Sequence, residues 1–418
     1  MISTFGKCVV RLTYAVWFGV LLSLCGNALA HGERNQEPFL RMRTAHFYDL
    51  HWSTTKTEVN GDIVVTGKFR LFSDWPKNLP APERSFLGNG TPGPVLARTE
   101  SWINGEPAIQ SGRLELDRDY EFKTVLKGRI PGKHHVHPMI NVEGAGPLLG
   151  PGSWLEVTGN AADFKLPATT IDGTQIENLE TWGMGTVKTV HIGWYIAALV
   201  FMLWWLRKPL LMPRAVALQA GNEEELVTRG DRLWGAAFGI ATVVVVIWGA
   251  NWAEATYPRT IPLQGGEFNV EPLPMDNRTV SVRVRRATYD VPGRSMKLKL
   301  ELTNDGDKPV SIGEFATAGL RFINKSVPAA VAAIDPTFPM DLVPPSGLQV
   351  ADSRPLAPGE TRLIEMEATD AAWEAERLTS LLNDPDNRVG GLLFLYDADG
   401  ERVIANVSGP IVPVFTKS

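Results

Sequence analysis

Three stretches of the chain are apolar almost without interruption, and outside them hydrophobic positions tend to alternate with polar ones. Thr189 to Leu206 runs 18 residues and Leu233 to Ala253 runs 21 residues without Asp, Glu, Lys or Arg. Both lengths suit a helix crossing a bilayer. Trp194, Trp204 and Trp205 mark the first run, and Trp234, Trp248 and Trp252 the second. A pair of buried core helices is the other reading, and the length and missing charge argue against it. Leu12 to Leu24 is shorter. Lys7 and Arg11 precede it and Ala28-Leu29-Ala30 follows, so residues 1–30 are expected to be a cleaved signal peptide rather than an anchor. A lipidated Cys25 is disfavoured by the bulk of Leu24.

The alternating segments predict strands. Asp62 to Phe72 is rich in β-branched and aromatic residues, and Met296 to Leu302 alternates strictly before the Asn304-Asp305-Gly306-Asp307 turn. Gly391 to Tyr396 is continuously apolar, the pattern of a buried strand, and Asp397-Ala398-Asp399-Gly400 closes it. Glycine and proline turns punctuate both regions. The expected architecture is mainly β, a sandwich at residues 31–172 and another at 260–418. They are joined through 173–259, which holds the two spans at 189–206 and 233–253. Asp370 to Leu382 is the clearest helical stretch outside the spans. Between the spans lie Arg207, Lys208, Arg214, Arg229 and Arg232, which places that loop in the cytoplasm and both sandwiches outside.

Charge and cysteine content narrow the function. The formal net charge is −5 over 418 residues, with no long basic run, so a nucleic-acid partner is not expected. Cys8 and Cys25 leave with the signal, and the remaining 388 residues contain no cysteine and carry a formal charge of −7. An exported domain of this kind folds without disulfides, and a metal would have to use imidazole, carboxylate, amide or backbone donors. No nucleophile elbow, P-loop, His-Glu-x-x-His or dinucleotide loop is present.

The histidines carry the candidate chemistry. Of seven, His31, His46, His51, His134, His135 and His137 fall in the first outer region, and His191 lies at the outer end of the first span. Cleavage after Ala30 makes His31 the first residue, so its α-amine and imidazole can chelate one ion. His135 and His137 are two apart and would share one face of a strand. Three imidazoles and an amine suit Cu(II). His134 points the other way, a surface or supporting role. His46 and His51 are five apart and would face opposite sides, so a shared metal is not expected.

The residues His31 to Thr44 resemble the mature start of the B subunits of the copper membrane monooxygenases. So do Arg129 to His137, Gly146-Pro147-Leu148-Leu149-Gly150-Pro151-Gly152, Tyr289 to Arg294, Gly313-Glu314-Phe315 and Gly409 to Phe415. The His134-His135 pair after Pro131-Gly132-Lys133, and the closing Pro413-Val414-Phe415-Thr416-Lys417, resemble ammonia monooxygenase more than methane monooxygenase. The resemblance implies two cupredoxin-like domains joined by two transmembrane helices, in a bacterial inner or intracytoplasmic membrane with both domains periplasmic. It implies assembly with the A and C subunits into a trimer of heterotrimers, and oxidation of ammonia to hydroxylamine, a step of nitrification, with dioxygen. Methane or a short hydrocarbon is the alternative substrate. Copper ligands match His31, with its α-amine, His135 and His137. A second copper site of some members matches His46, but its other histidine position is Arg70 here, so that site is expected to be weak or missing. A stand-alone periplasmic copper-binding or electron-transfer protein, and a structural scaffold whose copper is vestigial, are the alternative readings.

Overall fold

The computed structural model describes residues 38–170, 173–209, 211–257, 267–275, 278–370 and 386–415. The expected signal peptide, His31 and nearly all of the expected 370–382 helix lie outside the described residues. The chain divides into two compact units: residues 1–162 with 264–418, and residues 163–263.

The first unit holds two β-sandwiches. In one, a five-stranded sheet is built in the order Ala45–Trp52, Asp62–Leu71, Asp119–Gly128, Leu96–Ile103 and Glu106–Pro107. Its partner sheet runs Glu267–Phe268, Ser111–Gly112, Ser85–Gly90, Gly132–Val142, Ser153–Thr158 and Lys56–Glu58, with Gly146–Leu149 also paired to Gly132–Val142. Alternation builds the core between them. Ile63, Val65 and Phe69 from the first sheet meet Val136, Ile140 and Leu155 from the second, all fully buried. The segment after the spans returns to this sandwich before starting its own. Phe268 packs against Gly112, Val270 joins the core, and the Leu273 amide donates to the Asp119 carbonyl.

The other sandwich pairs a five-stranded sheet, centred on Ser295–Asn304, with a four-stranded one in the order Leu320–Ile323, Ser311–Thr317, Arg388–Tyr396 and Arg402–Pro410. The apolar run in Arg388–Tyr396 has a direct cause. Val389, Leu393 and Leu395 face this sandwich's own core, while Leu392, Phe394 and Tyr396 face a second cluster containing Tyr48 and Phe72 of the first sandwich. Both faces are buried, so both must be apolar.

Several polar groups pair where the sandwiches meet. Arg70, only 2% exposed, directs its Nε to Asp119 Oδ1 at 2.8 Å and a terminal nitrogen to Oδ2, while Nη1 donates to Asn406 of the other sandwich at 3.0 Å. The Tyr48 hydroxyl donates to the same Asp119 at 2.6 Å, and burial together with that carboxylate pushes its pKa far up. Arg402 grips Asp49 in a fork at 2.6 and 2.7 Å, and Arg43 bonds Asp386 at 3.0 Å. Asp49 itself sits at φ 52°, within a register shift between Tyr48 and His51.

The second unit contains two long helices, Met184–Leu206 and Arg229–Thr256, with mean hydropathy 1.6 and 2.0 and both long and apolar enough to cross a membrane. They begin before the expected spans. Thr228 caps the second through Asp231 in a reciprocal box, which sets its start ahead of the apolar run. The helices meet through Trp204 on Trp234, ring centres 4.8 Å apart, and Phe201 on Phe238 at 4.7 Å. Lys208 reaches Asp231 at 2.6 Å. At the other end Tyr257 touches Trp182 and bonds Thr186 at 2.5 Å.

Asp119→Ala would leave the buried Arg70 without its carboxylate and remove the acceptor of Tyr48. The expected loss is about 3–5 kcal/mol of unfolding free energy, the cost of breaking one partner of a buried pair. Glu156→Gln, which removes the charge from the exposed pair with Lys56, should cost less than about 1 kcal/mol. Denaturant titration of both variants in detergent checks the contrast.

Candidate metal centre

The central strand of the larger sheet, Gly132–Val142, carries the site. It is hydrogen-bonded on both sides, to Ser85–Gly90 and to Ser153–Thr158. Val136, Ile140 and Val142 turn into the core, so His135 and His137 share the opposite, outward face. His137 is nearly buried at 8% and His135 is partly exposed.

Their rings stand edge to face, centres 4.6 Å apart at 82°, and His137 Nε2 lies 3.2 Å from His135 Nδ1. His137 Nδ1 lies 2.7 Å from the Gly150 carbonyl oxygen. A carbonyl can only accept, so Nδ1 carries a proton and donates to it, which leaves Nε2 as the ring atom suited to hold a metal. That is the arrangement of a ligating histidine steadied by a backbone acceptor. Two ring nitrogens 3.2 Å apart fit adjacent positions around one ion with bonds of about 2.0 Å. The donor set therefore fits an imidazole-bound divalent metal. Among the described residues no cluster of three or more His, Cys, Asp or Glu surrounds the pair, and His31 lies outside them.

The other histidines are engaged elsewhere. His134 bends back over its own turn, its Nε2 donating to the Ile130 carbonyl at 2.9 Å. His51 is exposed and bonds Asp335 of the other sandwich at 2.9 Å, a tether between the two. His191 donates Nδ1 to the Val187 carbonyl of its own helix at 2.7 Å. His46 belongs to the other sheet, directly across from Arg70 in the register. Its Nε2 donates to the Met42 carbonyl at 2.7 Å and its ring rests on Phe72 at 5.0 Å. The Arg70 guanidinium beside it is committed to Asp119 and Asn406.

Sequence reasoning missed the residues that hold the pair. Gly150 and Gly152 belong to the Gly146–Gly152 segment and Trp154 lies just beyond it, and none of the three was assigned a role. The available signal was the two-residue spacing of Gly152 and Trp154 beside a strand bearing His135 and His137.

Over residues 32–415 the chain matches the family model that describes the B-subunit protein of monooxygenases. It is 43% identical over 390 residues to the particulate methane monooxygenase alpha subunit of Methylococcus capsulatus (strain Bath), with 93% of each chain covered. Among solved structures it is similar to the cupredoxin domain of amoB from Nitrosocaldus yellowstonii. That match has 16% identity and a TM-score of 0.23, and covers 29% of this chain and 91% of that one.

The state of His46 is open to measurement. Burial lowers its pKa to about 4, with the Met42 carbonyl pulling up and Arg70 pushing further down. The unfolded chain takes up this proton near pH 6.5, which the folded one refuses until about 4. Its contribution is therefore present in full above pH 6.5 and is lost as pH falls toward 4, by about 3 kcal/mol. His46→Gln should remove that component, visible as the wild-type minus variant difference in unfolding free energy between about pH 7 and about pH 4.5.

Proposed function

The chain belongs to the family of monooxygenase B subunits, and from that membership we propose that it is the copper-holding subunit of a membrane monooxygenase. The observation that carries the reading is the convergence of His137 Nε2 and His135 Nδ1 at 3.2 Å, with the His137 tautomer set by Gly150. His31 completes the set with its imidazole and its α-amine. Copper, when bound, would supply one-electron redox and dioxygen chemistry. The residues of this chain position the ion. The Gly150 carbonyl keeps the proton on His137 Nδ1, and the strand pairing keeps both imidazoles on one face.

Catalysis belongs to the assembly. This chain works with the A and C subunits in a trimer of heterotrimers, in a bacterial inner or intracytoplasmic membrane. Its two helices anchor it, and the basic loop between them faces the cytoplasm, which leaves both sandwiches periplasmic. Ammonia, oxidised to hydroxylamine, is the substrate favoured by the His134-His135 pair and the closing Pro413 to Lys417 segment. Methane is the second reading, favoured by the 43% identical relative that carries methane in its name. Offering each substrate to the purified complex separates the two.

Copper titration of the full chain tests the site. The full chain is needed because Glu267–Phe268 completes the sheet that bears the histidines. His135→Ala and His137→Ala should each weaken binding at least roughly 10- to 100-fold. One Ala inserted between Ala30 and His31 keeps every imidazole and moves the amine away, and should do the same. His134→Ala should do little. An Ala-extended chain that holds copper as tightly as the parent removes the amine from the set.

Orientation is read separately. Protease added to the periplasmic face should cut both sandwiches and spare the segment from Arg207 to Arg232. Cleavage within that segment from the outside would reverse the assignment.

A further inference from the structure

We propose that Gly152 and Trp154 form a floor that sets the angles of the two imidazoles, and so act as the positioning pair of the metal centre. This rests on the reading of His135 and His137 as ligands. Gly152 and Trp154 are two apart at the start of the Ser153–Thr158 strand, where Leu155 and Val157 turn inward to the core. Trp154 therefore turns outward, onto the face that carries the histidines.

Each floor residue meets one ring. A Cβ on Gly152 would lie 2.4, 2.6 and 2.7 Å from Cε1, Nδ1 and Nε2 of His137. No real side chain tolerates such distances, so the imidazole lies flat on a bare backbone. Glycine is required here for space, since its backbone is not in the left-handed region. Trp154 is the register partner of His135, and the two rings lie 4.8 Å apart between centres, tilted by 33°. The indole is 51% exposed, so core burial does not impose its orientation. Contacts at its faces do that: His135, and the Lys133 ammonium 5.4 Å from the ring centre.

The consequence is angular. A histidine on an open strand face can turn about two side-chain bonds, and a metal would have to restrict both. Here the Gly150 carbonyl and the Gly152 floor hold His137, and Trp154 limits His135. The nitrogens are then preset to converge, which favours one coordination geometry over several.

The test uses the full chain in its native membrane, with Cu(II) paramagnetic resonance and copper retention against a chelator as readouts. Trp154→Ala should split or broaden the Cu(II) hyperfine pattern and raise the copper Kd roughly tenfold. Trp154→Phe, which keeps an aromatic face, should restore the single sharp pattern. Gly152→Ala should lower retention further, by roughly 100-fold, because the His137 ring has to leave its place. Added copper should also quench indole emission less in Trp154→Phe than in the parent. A Trp154→Ala chain with the parent's spectrum and retention would overturn the proposal. A parent Cu(II) signal that survives His135→Ala would instead overturn the ligand assignment beneath it.

Discussion

Pairing on both sides of the Gly132–Val142 strand is the constraint from which the site follows. A strand bonded on one side can slip or twist, and a slip of one residue turns every side chain to the other face. Here Ser153–Thr158 pairs with residues 132–136 on one edge and Ser85–Gly90 with residues 137–142 on the other, so a slip in either half breaks a ladder. Val136, Ile140 and Val142 are buried in the core, which makes any slip costly. His135 and His137 inherit their common face from that burial. The histidines do not organise the sheet; the apolar residues between and beyond them do.

The second feature is the way two sandwiches share one compact unit. Their junction is part apolar, with Phe394 near Tyr48, and part ionic, with Arg70, Asp119 and Asn406 joined across it. A buried pair of this kind adds little net stability against an apolar substitute, because desolvation offsets attraction. Its geometry is demanding, however, and it admits one relative placement of the strands that carry it. Arg70 also shows how position governs chemistry. Directly across from His46, its guanidinium is bound by Asp119 and Asn406. His46, buried and held neutral by its surroundings, is a donor to the Met42 carbonyl in this chain.

Much of this was legible from periodicity. The alternation in Asp62 to Phe72 and Met296 to Leu302 marks the strands because one face must be apolar and the other need not be. The two long uncharged runs mark the helices because no polar solvent tolerates that much exposed apolar surface. His135-Val136-His137 announced a shared face for the same geometric reason. Conversely, the local pattern carried no information about partners distant in the chain. Asp119 lies 49 residues from Arg70, Asn406 lies 336 from it, and Asp335 lies 284 from His51. The return of Glu267–Phe268 to the first sandwich is of the same kind, since a two-residue strand has no periodicity to read.

Local chemistry in the chain was therefore enough for element type, for the face a side chain occupies and for the identity of the converging imidazoles. Those properties depend on residues within a few positions of one another, where backbone geometry is regular. The angles of the rings were a tertiary matter. Gly150, Gly152 and Trp154 reach the histidines only because a neighbouring strand returns at one register, which places a carbonyl beside His137 Nδ1 and an indole across from His135. A register is set by the packing of whole sheets, and no short stretch of sequence contains it.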